Sequence, residues 1–197
     1  MPEDWKLNMF KASGDIRNLI RTVNCIPSDY EGRCDILFND INPLVVGRNL
    51  VVLYALLNPD VPIEHAAELS IHLMYSSCIT SDMSVFLSKA MEIVAGLSFL
   101  GESPIQTRGI GNLKFTSTVG ETVNFKVILE MLGSRYSVRT AAQFYSKIMC
   151  SRERQDYTDR YISGFEPNHR LAFAHYRATG ILAPFSLDLS LYNEPNR

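Results

Sequence analysis

The order of elements between Leu7 and Leu57 constrains the fold more than any other stretch, because it reads as strand, glycine turn, helix, second strand and second helix. Leu7 to Ala12 has the short, mostly apolar character of a buried strand, and Ser13-Gly14-Asp15 supplies a turn with capping oxygens. Ile16, Leu19, Ile20 and Val23 then recur at helical spacing, one stripe to lay against a sheet. Cys34 to Asn39 predicts a second strand. It runs into Asp40-Ile41-Asn42-Pro43, where Asn42 suits an N-cap and Pro43 the first helical turn. The helix from Pro43 to about Leu57 is apolar almost all round, so it is expected to be covered on most sides. The expected class is α/β, a Rossmann-like βαβ start over residues 7–57 with a largely helical second half.

Downstream, Pro62 opens a helix through Ala66, Leu69, Leu73 and Met74 to about Ile79, and Thr80-Ser81-Asp82 caps another carrying Val85, Phe86, Ala90, Ile93, Val94 and Leu97. No third strand falls where a repeating βαβ pattern needs one. A short strand is expected around Leu113 to Thr118. Helices are expected over Glu121–Leu132, from Ser137 through Ile148 into the charged run 152–156, and from Pro167 to Gly180. The chain reads as one domain over 1–197: a core over 7–57, a helical extension over 62–182 and a tail over 183–197. The tail has no helical period and either packs as extended chain or is loose.

The hydrophobic fraction of 46% fills a real core, and a net charge of -2 argues against bulk binding to nucleic acid or an anionic membrane. The run Leu50–Leu57 is far shorter than the roughly 20 residues of a membrane span. Cys25, Cys34, Cys78 and Cys150 are too scattered for a zinc site, which suggests free buried thiols. The acidic start at Met1–Trp5 lacks the apolar core of a signal peptide, so a reducing, cytoplasmic setting is expected. His65 with His72, and His169 with His175, miss the spacing of a helical metal pair, and no metal is expected.

In an open α/β sheet, ligands bind beyond the carboxyl ends of the strands. Ser13, Gly14, Asp15 and Arg17 follow the first strand, and Asp40 and Asn42 follow the second. These six are the candidate cofactor-binding residues, with backbone N–H groups near a helix start and an acid to accept ribose hydroxyls. The structural alternative stays open: Asp15 caps its helix and Asp40 ends its strand. Arg48 interrupts an apolar helix, so its guanidinium reaches either an acid such as Asp15 or Asp40, or a ligand.

The segments Ser13–Leu19, Asp35–Pro43 and Val46–Asn49, with the later runs Asp156–Tyr161, Pro167–Phe173 and Gly180–Leu182, together resemble the uncharacterised N-terminal domain of fungal MYND zinc-finger proteins. The chain is more distantly similar to the N-terminal domain of the dynein axonemal assembly factor. The resemblance covers most of residues 7–186. It implies a methyltransferase-like architecture with Gly14 and Asp15 at the cofactor loop and Asp40 at the acid position, and it implies no known reaction. The MYND cysteines are missing, and the end at Asn196-Arg197 looks like a point where longer relatives continue.

The expected function is a degenerate methyltransferase-like domain that acts as a protein-interaction or assembly module, with a protein partner contacted through Tyr157, Tyr161 and Phe165. The alternatives are an enzyme binding S-adenosylmethionine or another nucleotide-like ligand, and a homo-oligomer with the 43–57 helix close to the subunit interface.

Overall fold

The computed structural model describes residues 10–11, 16–30, 38–40, 42–99, 103–106, 112–115, 136–152, 160–184 and 186–196. The first core grows around the helix that is apolar almost all round. This is α2 (Pro43–Leu57), opened by Pro43 in its first turn and by the Asn42 side chain, which accepts from the Leu44 N–H at 3.0 Å. It packs against α3 (Ile63–Tyr75) and α4 (Ser81–Phe99). Val51, Val52 and Ala55 of α2 meet Leu69 and Leu73 of α3 and Met83, Leu87, Ala90, Met91 and Val94 of α4. Ile16 and Leu19 complete this core at the start of α1 (Arg17–Asn24), with Ile20 and Val23 against it, so the predicted stripe is the buried one.

The α/β, Rossmann-like class does not hold. β1 (Phe10–Lys11) and β2 (Phe38–Asn39) do pair in parallel, Phe10 opposite Phe38, with α1 between them. Yet each is described over 2 residues, and among the described residues every sheet has two strands, none with the parallel, helix-alternating order of a Rossmann-like fold. The structure is mostly helical. The physical reason is α2 itself, whose all-round apolar surface is met by neighbouring helices rather than by a sheet.

Two further expectations shift, and one is not reached. The α3 helix ends at Tyr75, and Cys78–Ile79 forms β3, where a helix was expected to continue. A hairpin of β4 (Ser103–Gln106) and β5 (Asn112–Phe115) stands where one strand was expected, in register from Ser103 opposite Phe115 to Gln106 opposite Asn112. The helix expected over 121–132 lies outside the described residues.

The second, smaller core is built from Cys78, Ala141, Ile181, Ala183 and Tyr192. It joins α5 (Val138–Met149), whose Ser137 cap accepts from Thr140 N–H at 3.1 Å, to α6 (Pro167–Thr179) and the tail. The tail is docked: a 3-10 turn at Leu189–Leu191 leads into β6 (Glu194–Pro195), which pairs antiparallel with β3. Gly180 ends α6 in the left-handed region at φ 76°, with its N–H on Tyr176 O at 2.8 Å.

Two stability changes follow from this packing. A Cβ at Gly180 would collide with Ser77 Oγ and lie 2.9 Å from Tyr145 Cδ1, at a φ that L residues avoid. Gly180→Ala is therefore expected to destabilise by about 2 kcal/mol in urea unfolding. Asn49 on α2 is fully buried, and neither amide atom has a hydrogen-bond partner. Asn49→Leu, of the same branched shape, is expected to stabilise by about 1 kcal/mol. A lower urea midpoint for that variant would show that the amide is used.

Candidate functional site

Of the six residues expected to hold a cofactor, Ser13, Gly14 and Asp15 lie outside the described residues. Asp40 and Asn42 come together at the start of α2, where each makes a local bond. Asp40 Oδ1 accepts from Asn42 N–H at 2.9 Å, and Asn42 Oδ1 caps the helix on Leu44 N–H. Arg17 stands exposed in the first turn of α1, its guanidinium carbon 5.9 Å from the centre of the Tyr75 ring at the end of α3. Arg48 is half-buried on α2. The S-adenosylmethionine reading drew on a Rossmann-like class and loses that support.

Among the described residues a dense polar constellation lies elsewhere, at the carboxyl end of α3. His72 falls on the helix face that also carries Leu69 and Leu73, and it is buried with them. Its Nδ1 is 2.9 Å from Ser76 Oγ, and its Nε2 is 3.3 Å from the Tyr192 hydroxyl of the tail. The Tyr192 ring leans on the imidazole with centroids 5.0 Å apart. Both hydroxyls donate or accept, so either neutral tautomer is satisfied.

A helix end leaves carbonyls without partners, and here the tail takes them. The Asn196 Nδ2 group donates to His72 O at 3.0 Å, Leu73 O at 3.2 Å and Ser76 O at 2.7 Å, while Asn196 N–H donates to Ser77 O at 2.9 Å. The Tyr136 hydroxyl, ahead of α5, donates to Asn196 O. Tyr176 of α6 donates its hydroxyl to Tyr75 O at 2.7 Å, and Leu182 N–H donates to Ser76 Oγ at 3.0 Å.

A serine hydroxyl on an imidazole is half of a nucleophile–base pair. This pair is turned inward. Ser76 is 5% exposed and His72 4%, the serine oxygen already takes the Leu182 N–H, and the far imidazole nitrogen meets a tyrosine instead of a carboxylate. The arrangement locks the tail onto α3. Sequence reasoning passed over Ser76, Tyr192 and Asn196; the one available signal was His72 inside an apolar stripe at Ala66, Leu69 and Leu73.

An exposed apolar pair lies on α5. Phe144 is 60% exposed and Ile148, one turn on, is 52% exposed, while the buried residue of that helix is Ala141. Of the expected contact residues, Tyr161 is exposed, Phe165 packs edge-on against Phe173 with centroids 5.7 Å apart, and Tyr157 lies outside the described residues. Cys25 and Cys150 are exposed and Cys78 is buried, so the expectation of buried thiols holds for one of these three. Among the described residues no group of His, Cys, Asp and Glu could hold a metal, and no helix is long and apolar enough to cross a membrane.

Burial holds the His72 imidazole below its ordinary value, with Glu68 pulling the other way. The fold prefers the neutral ring, so the unfolded chain takes up the proton first as pH falls, and this contribution is lost from about pH 6.5 downward. His72→Gln removes the titration. The expected result is a smaller drop in urea midpoint between about pH 7.5 and about pH 5.5 than in the unsubstituted protein.

Residues 3–79 match the model of a family described as a domain of unknown function, DUF4470. The matched span runs through β1, α1, β2, α2 and α3 and closes on Ile79, the last residue of β3. No curated protein matches the chain significantly, and no solved structure does.

Proposed function

We propose that this chain is a protein-interaction or assembly module that holds its partner on the exposed apolar side of α5. The observation that supports the reading is the pair Phe144 and Ile148. Two large apolar side chains, one turn apart and each more than half exposed, lie on a helix whose capped start and neighbours hold it in place. Exposed apolar residues grouped on one element mark interaction surfaces more often than scattered ones do. Tyr145, next to Phe144 in sequence, is half-buried, with its hydroxyl on Tyr176 O at 3.1 Å.

The resemblance to the N-terminal domain of fungal MYND proteins, and distantly to the dynein axonemal assembly factor, agrees with an assembly role. A cytoplasmic location belongs to the same proposal, as does the absence of a nucleic-acid or membrane partner.

The test is co-purification from the source cells with the unsubstituted protein and with Phe144→Ser/Ile148→Ser, both shown to be folded by circular dichroism. A partner is expected to be retained by the first and lost by the second. The same partner, once purified, is expected to bind with micromolar affinity or better and at least about tenfold more weakly to the variant, a difference of about 1.4 kcal/mol. Equal retention of every bound protein by the two would end the reading.

A further inference from the structure

We infer that the partner presents an acidic amphipathic helix to α5. The inference rests on the interaction reading above and adds the chemistry of the occupant, from charge and from shape.

Charge is segregated in this chain. The α5 and α6 helices carry Arg139, Lys147, Arg170 and Arg177 and contain no aspartate or glutamate, in a protein whose net charge is -2. None of the four has an acidic partner among the described residues. Arg170 is held by carbonyls instead, its Nε on Phe165 O at 2.8 Å and its Nη2 on Ser163 O at 3.3 Å. The two helices touch, with Tyr145 and Tyr176 edge to face at 5.4 Å. Lys147 lies between Phe144 and Ile148 in sequence, three residues beyond the first, and is exposed like both. A surface with apolar anchors and a cationic flank complements a segment with apolar residues on one side and carboxylates beside them.

Shape selects a helix as that segment. Phe144 and Ile148 are four residues apart, so their side chains stand one turn apart, about 6 Å, along the α5 axis. That spacing is the ridge that a second helix receives between its own i and i+4 side chains. Thr140 extends the same side by one further turn, and with 12 residues α5 offers about 18 Å of length, enough for three turns of a partner.

The probe is a synthetic peptide with leucines at helical spacing and glutamates on both flanks, compared with the same peptide carrying lysines for glutamates. Binding to the full chain is read by fluorescence anisotropy. The acidic peptide is expected to bind at least tenfold more tightly than the basic one. That preference is expected to shrink at 0.5 M salt, where surface charges are screened within about 4 Å. Phe144→Ser/Ile148→Ser is expected to weaken the acidic peptide tenfold or more, and Lys147→Glu to abolish the preference for acid. Leu171→Ser, at an exposed leucine of α6, serves as the control and is expected to change nothing. Equal binding of the two peptides, or loss of the acidic one through Leu171 instead of Phe144 and Ile148, overturns the inference. So does tighter binding of a single-stranded oligonucleotide than of the acidic peptide. The two readings fail separately: a partner that co-purifies through α5 and is not displaced by excess acidic peptide refutes the acidic helix and leaves the interaction module standing.

Discussion

A helix that is apolar almost all round must be covered on most sides, and α2 imposes that requirement on the rest of this protein. Its residues Val51, Val52 and Ala55 are buried, and so is the polar Asn49. Among the described residues β1 and β2 pair over two residues each, whereas α3 and α4 pack along α2. α3 and α4 follow α2 directly, joined by short connections at Asn58–Pro62 and Ser76–Thr80, and they pack back on it as sequential neighbours. What begins in sequence like an open sheet with helices on it becomes a helical core with a minor parallel pair at one side.

The carboxyl end of α3 is the joint between the two cores. Helix ends expose carbonyls, and here those of His72, Leu73, Tyr75 and Ser76 are all taken by groups from the tail or from α6. β3 emerges from the same place and gives Cys78 to the second core and Ile79 to the first. The family match to DUF4470 closes at Ile79. The returning tail therefore pairs with the last two matched residues and ties the later part of the chain to the matched part through backbone and amide bonds. Burial of His72 beneath Tyr192 places one titratable ring under that attachment.

Local signals were legible and distant ones were not. The Asn42 cap, Pro43 in the first turn, the stripe of α1, the Ser137 cap and the Gly180 stop each act within a few residues, and each stands where the sequence placed it. The α/β class was inferred from one βαβ-like order of elements, and it failed because strand length and strand number are tertiary outcomes. The end of α3 was overrun for a similar reason. Cys78 and Ile79 have no local feature that stops a helix; their strand exists because Glu194 and Pro195 pair with them from more than a hundred residues away. The polar lock at His72 was invisible for the same cause, since its partner Tyr192 is 120 residues distant. Asp40 and Asn42 both bond backbone groups at the start of α2, as polar residues at a helix start commonly do.

The contrast between the two cores explains how a surface helix stays ordered while its apolar side faces water. The first core gathers aliphatic residues from four helices. The second contains Cys78, Ala141, Ile181, Ala183 and Tyr192, of which three are small. α6 buries no residue and α5 buries Ala141, so apolar contact inside the chain is a modest part of what holds them. Directional bonds do the positioning: Ser137 on Thr140, Tyr145 on Tyr176, Tyr136 on the tail and Tyr176 on Tyr75. Hydrogen bonds add little net stability each, but they fix orientation, and a helix oriented by them need not turn its largest apolar residues inward. Phe144 and Ile148 are thus available to a second molecule without reorganisation of the first, which is the condition under which covering them yields the most affinity.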